Sequence, residues 1–384
     1  MVLLSAFGSF VNDMFLPCLP DMMKVFHTDI SQIQLSLTMG MIGLGVGEVV
    51  FGPISDKHGR KPILIFALFL FLVSAVVSIF SRTLVFFLVC RLVQGLGGSA
   101  GYFLARTIPA DLFGGRKLAH FMGVIGAING LAPAMAPTIG GFMAVSVGWK
   151  GIFVLLAIFS VVLIVLFPCL KETLPPGRRQ QGGMKVAAGN YKKLLTNRYF
   201  MIHVMMKDVG LGMMFAYISA APFIIQTHFG FSPSAFGIFV GVNAIFLGIG
   251  SFVASRFKVL KKASYLGAWI AMCAIIGEAI CLFYVDNIVM FEATLLPILF
   301  SMGMIFTVGN TLAMNEGRGN AGAASALLGL FGYVFGAMVS PVMGLGNLLH
   351  TTAWVFVIMG LIVLILSAVA YRLPEDLDGD QTTK

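Results

Sequence analysis

Gly52–Leu64 reads GPISDKHGRKPIL. Within these thirteen residues stand two glycines, two prolines and the polar run Ser55 to Lys61, flanked by long apolar stretches that reach back to about Ser31 and on to about Ile79. Each flank is long enough for a membrane-crossing helix, which needs about 20 apolar residues. The stretch is therefore a charged connection between two spans. The same rhythm continues outward in both directions, and twelve apolar segments separated by short polar breaks can be laid along the 384 residues. With 58% hydrophobic and 11% charged residues, and a mean hydropathy of +0.96, the chain leaves no room for a separate soluble domain.

The first span ends at the helix breakers Pro17 and Pro20, and the second carries Gly40, Gly43 and Gly47 on one face, a stripe that admits a close neighbour. Arg91 and Arg106 fall in the fourth span, and Gly130, Pro133, Pro137, Gly140 and Gly141 punctuate the fifth. The one long polar connection separates six spans from six. The expected division is a first bundle over 1–170, a linker over 171–198 with a short amphipathic helix near Tyr191–Leu195, a second bundle over 199–372, and an acidic tail over 373–384. A shift of about 205 residues sets Phe10 and Pro17 on Phe215 and Pro222, and a similar shift sets Pro137 and Gly140 on Pro341 and Gly344. Paired six-span halves are the plan of an alternating-access transporter. The expected fold is thus an all-α membrane protein of twelve transmembrane helices in two pseudo-symmetric six-helix bundles.

A net charge of +9 raises the question of nucleic acid, but the basic residues are distributed against it. The even-numbered connections and the tail hold most of the 25 lysines and arginines, among them Lys57, Arg60, Lys61, Arg116, Lys117, Lys192, Lys193, Arg256, Lys261 and Lys262. The opposite side holds only Lys24, Arg82 and Lys150. Such an excess predicts a bacterial inner membrane protein with both termini in the cytoplasm. The opening apolar run leads into Asp13 and two prolines, so no cleavable signal peptide is expected. The five cysteines lie in apolar spans without metal or disulfide spacing, no phosphate-binding glycine loop is present, and no nucleophile and base are paired. Neither an enzyme nor a cofactor is expected, and a proton gradient is the expected energy source.

Phe10–Asp21, FVNDMFLPCLPD, places a carboxylate inside the first span. Asp13 lies about 18 Å into a hydrocarbon layer about 30 Å thick, past its midplane. An ionised acid at that depth faces a wet cavity, takes a proton or pairs with a cation. Arg91 sits at similar depth on the fourth span, so Asp13 is expected to alternate between a protonated form and an ionised form stabilised by Arg91 or by a cationic substrate; the alternative is a structural pair. Glu48 and Arg106 share a second depth, as a clamp or as a second protonation site or gate. Lys207 and Asp208 are chain neighbours that point about 100° apart, so they are expected not to bond well, with Lys207 reaching toward the basic face. Glu278 and Glu292 carry weaker signals. Asn12, Phe15, Phe215, Tyr217 and Ser219 are the expected substrate contacts in a chamber whose 35 Phe and 23 Met make it soft and apolar.

Gly52, Pro53, Ser55, Asp56, Gly59, Arg60, Lys61 and Pro62 resemble the motif between the second and third spans of the major facilitator superfamily. That resemblance implies a charge network of Asp56 and Arg60 with Asp111 and the start of the eleventh span, locking an outward-facing state. Arg91, Gln94 and Gly95 look like the fourth-span motif of proton-coupled drug exporters. Pro137, Gly140 and Gly141 look like the fifth-span antiporter motif, with Ala136 where a glycine is usual. NDMFLPCLP, ARTIPADLF, FAYISAAPFIIQ and NAGAASALLG resemble the bicyclomycin and chloramphenicol resistance (Bcr/CflA) branch, from the first span to the eleventh.

The resemblance implies a proton-coupled antiporter that exports small, largely apolar drugs or metabolites, acting as a monomer in the lipid bilayer on a small-molecule substrate and protons, with no nucleic acid partner. The alternatives are a proton-coupled symporter for uptake of a small metabolite and a non-transporting membrane sensor or receptor.

Overall fold

Pro17 decides where the first helix stops. A residue without an amide hydrogen cannot bond to the carbonyl four positions back, and its ring clashes there; that carbonyl belongs to Asp13, and helix α1 runs Val2–Asp13. A 3₁₀ turn over Leu16–Cys18 and helix α2, Leu19–Val25, complete the span, with Pro17 and Pro20 in first-turn positions that need no amide donor. The sequence places the break at the prolines; it falls one turn earlier, at the acid.

The computed structural model describes residues 2–113, 115–167, 172–175, 177, 179 and 183–373. After α2 come α3 (Ile30–His58), α4 (Arg60–Ile79), α5 (Leu84–Leu112), α6 (Gly115–Ser146), α7 (Gly148–Leu166), α8 (Gly183–Leu195) and α9 (Arg198–Pro222), then α10 (Pro233–Ser255), α11 (Leu260–Ile280), α12 (Ile288–Glu316), α13 (Ala321–Val339) and α14 (Leu348–Arg372). Among the described residues, eleven helical stretches are long and apolar enough to cross a membrane, and α6 adds the shorter apolar run Met135–Ser146. Asp29, Thr83, Asn197, Ser232, Asn287 and Asn347 cap the helices that follow them by accepting from backbone amides. Phe66, Phe69, Ile245, Trp354 and Ile365 are more than half exposed, an apolar outer belt that suits lipid. The protein is a multi-pass membrane protein.

Helices α1 and α3 to α7 pack among themselves, α9 to α14 pack among themselves, and the two groups meet along α3 with α13 and α6 with α10. Glycines let the close pairs form. A side chain on Gly43 would strike the backbone of α5 at Leu92 to Leu96, and one on Gly250 would strike the carbonyl of Phe300 on α12.

Two expectations change. The Gly52–Leu64 connection is almost entirely helical: α3 continues to His58, α4 starts at Arg60, and the reversal is made by Gly59 alone, at φ 105°. Gly52 lies within α3 with open space around it, so the turn does not need it. The amphipathic helix of the linker is α8, longer than Tyr191–Leu195; its buried Leu194 packs with Phe200, Ala313, Ala324 and Leu327 beneath the second group. The tail expected over 373–384 lies outside the described residues apart from Leu373.

At the end opposite the Gly59 turn, hydrogen bonds join the halves. Ser31 Oγ donates to the carbonyl of Pro341 at 2.9 Å, Gln34 Nε2 to Ser219 at 3.0 Å, Thr38 Oγ1 to Ala337 at 3.2 Å, Gln226 Nε2 to Pro17 at 3.1 Å and Thr138 Oγ1 to Gly237 at 2.7 Å. Gly344 abuts the backbone of Ser31, and Gly141 that of Pro233. This far end is shut. The outward-facing lock implied for the Asp56 network is therefore not the state seen.

Candidate functional site

Between the halves lies a cavity of about 350 Å³. From the first half come Asn12, Asp13, Leu44, Tyr102 and Arg106; from the second come Lys207, Leu211, Met214, Phe215, Tyr217, Asn243 and Tyr333. A second hollow of about 430 Å³, lined by Glu48, Asp56, Arg60, Tyr191 and Asn320, opens at the basic end. Both are bounded by Arg106 and Ser325, so these two residues stand between the chamber and the hollow at the basic end, while the hydrogen-bonded seam closes the far end.

Asp13 reaches the chamber because α1 stops at it. Its side chain is 8% exposed, and Oδ1 accepts from Asn12 Nδ2 at 3.2 Å. Arg91 is wholly buried nearby, its charge felt at Asp13, yet among the described residues no ion pair joins the two. The guanidinium is otherwise engaged. Nη1 donates to the carbonyl of Val11 at 3.0 Å and to Gln94 Oε1 at 2.8 Å, and Nε donates to the carbonyl of Ser36 at 3.3 Å. Its carbon rests 4.3 Å from the centre of the Phe15 ring, a cation over an aromatic face. Gly40 leaves room for it, since a methyl there would lie 2.9 Å from Nη2.

Of the expected substrate contacts, Asn12, Phe215 and Tyr217 line the chamber. Phe15 does not: past the helix break it turns into the first half, beneath Arg91 and against Phe153. Ser219 does not either, because its carbonyl holds Gln34 and its hydroxyl lies 2.7 Å from that of Ser340, in the far-end seam. Tyr102 and Tyr333 were missed. An isolated tyrosine in an apolar helix carries no sequence signal for facing a cavity.

Glu48 is 5% exposed and its Oε1 has no partner among the described residues. It does not clasp Arg106, whose guanidinium stacks over Tyr102 at 4.2 Å with Nε unpartnered among the described residues. The Glu48 carboxylate crosses instead to the other half, where a methyl on Gly329 would lie 2.9 Å from its Cδ. Lys207 corrects the expectation set for it. Its long stem folds back so that Nζ lies 2.7 Å from Asp208 Oδ1 and donates to the carbonyl of Leu328 at 3.0 Å, on the chamber wall. Neighbouring side chains on a helix do diverge, but a four-carbon stem spans that angle.

Around Gly59 the charges form a lattice. Arg60 Nε meets Asp111 Oδ2 at 2.9 Å, the Arg60 guanidinium pairs with Asp56, and Nη1 donates to Ser55 Oγ at 2.7 Å. Glu172, just beyond the sixth span, accepts from the amides of Arg60 and Lys61 at 2.9 and 3.1 Å. Partial burial pushes the Glu172 carboxyl upward, but hydrogen bonds from the amides of Leu174, Arg60, Lys61 and Thr173 outweigh it and hold its pKa below the ordinary value. In the fifth span, Gly140 sits against the Met14 carbonyl where the first span breaks, Gly141 sits against Pro233, and the Pro137 carbonyl lies 2.8 Å from where a methyl on Gly237 would stand.

The model of the Major Facilitator Superfamily matches residues 1–341. An uncharacterized MFS-type transporter, YdgK of Bacillus subtilis (strain 168), is 33% identical over 377 residues, covering 96% of this chain and 91% of its own. A bicyclomycin resistance protein homolog of Haemophilus influenzae is 26% identical over 382 residues, covering 96% of this chain and 93% of its own. Among solved structures, the partially occluded inward-open xylose transporter XylE from E. coli superposes with a TM-score of 0.75 at 16% identity, covering 99% of this chain and 98% of that one.

Proposed function

Since the chain belongs to the major facilitator superfamily and is a transporter of that family, we propose that it exports small, largely apolar drugs or metabolites in exchange for protons, as a single chain in the bacterial inner membrane. The basic end is assigned to the cytoplasm by its excess of lysine and arginine. The observation that carries the reading is Asp13, set on the chamber wall at the end of a broken helix and held, among the described residues, by a neutral amide alone. A carboxylate without a fixed cation is free to trade a proton for a cationic or polar group of a ligand. Its chamber is lined by Leu44, Leu211, Met214 and Phe215, and its size suits a drug-sized molecule. The resistance protein homolog of Haemophilus influenzae points to the same substrate class.

In this scheme the chamber opens at the basic end and takes substrate from the cytoplasm as Asp13 gives up its proton there; rocking then breaks the far-end seam and releases substrate where a proton reloads the acid. The test is flux in vesicles containing the purified protein, with an imposed proton gradient and a compound panel, reading proton and substrate together. Opposed movement of the two supports export. Parallel movement assigns symport instead, and no movement of any compound or proton returns the chain to a sensor role.

A further inference from the structure

The second half carries two acids that this scheme leaves idle. Glu278 on α11 is fully buried; Oε2 accepts from the Thr294 hydroxyl, and Oε1 has no hydrogen-bond partner. Glu292, one turn into α12, lies within Coulomb reach of Glu278 and beside Asn243, and its Oε1 is also buried without a partner. Asn243, 1% exposed on α10, donates through Nδ2 to the Tyr217 hydroxyl at 2.8 Å, which leaves its own Oδ1 unpartnered. Among the described residues, three buried acceptor oxygens without a donor therefore lie in one region. The titratable groups around them are Tyr217 from α9 and Cys281 and Asp286 from the turn that ends α11. Further out, Asp286 is paired with His228, and His350 at the start of α14 packs on Phe283. Among the described residues no lysine, arginine or histidine pairs with either glutamate.

Two carboxylate charges cannot stand side by side in such a place. Each ionised acid costs several kcal/mol when buried alone, and like charges at short range disfavour the second ionisation further. A single hydrogen on either acid resolves both problems, since it removes one of the two charges and turns that acid into a donor. We propose that the Glu278 and Glu292 pair carries a proton, forming a second protonation site that Asn243 and Tyr217 connect to the chamber. Tyr217 and Asn243 both line that chamber, and because the Tyr217 oxygen accepts from Asn243, its own hydrogen remains available to a chamber ligand. The charge state of the pair is thereby presented to whatever occupies the cavity. The site lies in the half where Ile218 stands at the position matching Asp13, so each half has its own acid chemistry at a different depth. It goes beyond the exchange scheme and does not require Asp13 to be the coupling group.

The experiment is infrared difference spectroscopy of purified protein in lipid, titrated with pH, in a D13N/E48Q background that removes the acid of the chamber and the buried acid of the second hollow. The expected result is a carbonyl stretching band of a protonated carboxylic acid that moves in heavy water. Glu278→Gln or Glu292→Gln alone shifts its titration to lower pH, because the like charge is gone, and the double variant loses it. A band that persists unchanged in the double variant overturns the proposal. So does its absence before either glutamate is changed, a result that needs no further variant to fold. Replacing choline by sodium is the third arm: loss of the band in sodium assigns the site to a metal cation and overturns the proton. The spectrum is taken at rest, so its outcome is separate from that of the flux assay.

Discussion

Glu172 accepts hydrogen bonds from the backbone amides of both Arg60 and Lys61, at 2.9 and 3.1 Å, so the segment after the sixth span supplies the missing acceptors for the first turn of α4. Helix starts have unpaired amides and carry partial positive charge, which makes a carboxylate the fitting cap. Glu172→Gln is expected to speed amide hydrogen exchange at Arg60 and Lys61 several-fold. The difference in melting temperature between wild type and variant is pH-dependent with a definite sign. A carboxyl whose folded pKa is lowered contributes fully above its unfolded value, and the contribution is lost as pH falls through the folded one. The gap should thus be full at neutral pH and vanish as the solution is acidified below the ordinary glutamate value. A gap that widens in acid refutes this role.

Asp13→Asn removes the charge and keeps the shape. Uphill, gradient-driven transport is expected to fall by at least about 100-fold, the scale of losing a positioned proton-transfer group, while downhill equilibration of substrate persists. Accumulation against a gradient in the Asn variant, measured in vesicles, would show that another group carries the proton.

Arg91→Ala leaves the buried Gln94 amide oxygen without its donor and takes a donor from the carbonyls of Val11 and Ser36. Each unsatisfied buried group costs about 1 to 3 kcal/mol, so a large drop in thermal stability is expected. Arg91→Lys should recover only part of it, because an ammonium lacks the planar fork and the contact with Phe15. Melting curves in detergent, compared at one pH, check both.

Gly140 and Gly141 are adjacent but meet different halves. A methyl on Gly140 runs into Met14 of the same half, and one on Gly141 into Pro233 of the other. Gly140→Ala is expected to destabilise the protein with little change in which end is open. Gly141→Ala is expected to wedge the far-end seam and shift the population toward access from that side. Distances between spin labels across the far end distinguish them, with longer distances for the Gly141 variant alone.

Periodicity and composition made the helical, twelve-span plan legible, because apolar runs near 20 residues have few other uses. Asp13 and Arg91 were legible as charges out of place, and the pairing of Arg60 with Asp56 and Asp111 was implied by the loop motif and is found. The partners of Asp13 and Arg91 were not legible. A buried arginine can be satisfied by carbonyls as well as by a carboxylate, and sequence records no carbonyl; hence Arg91 is bound to Val11 and Ser36 where a partner acid was expected. Phe15 was misplaced because the break at Asp13 rotates it out of the phase an unbroken helix would keep, and Ser219 because it lies one turn beyond Phe215 on the unbroken α9, in the seam with Ser340. Glu172 sits in a connection whose composition promised only flexibility, and its value lies in which distant amides it meets.

Every anchor of Arg91 belongs to the same half of the molecule as Asp13. When one half rocks against the other, the guanidinium travels with the acid like a bolt in one leaf of a hinge, so the field it casts stays constant through the stroke. Whatever tips the acid between its two states must arrive from outside that leaf, as water, as cargo, or as the facing wall of the opposite half.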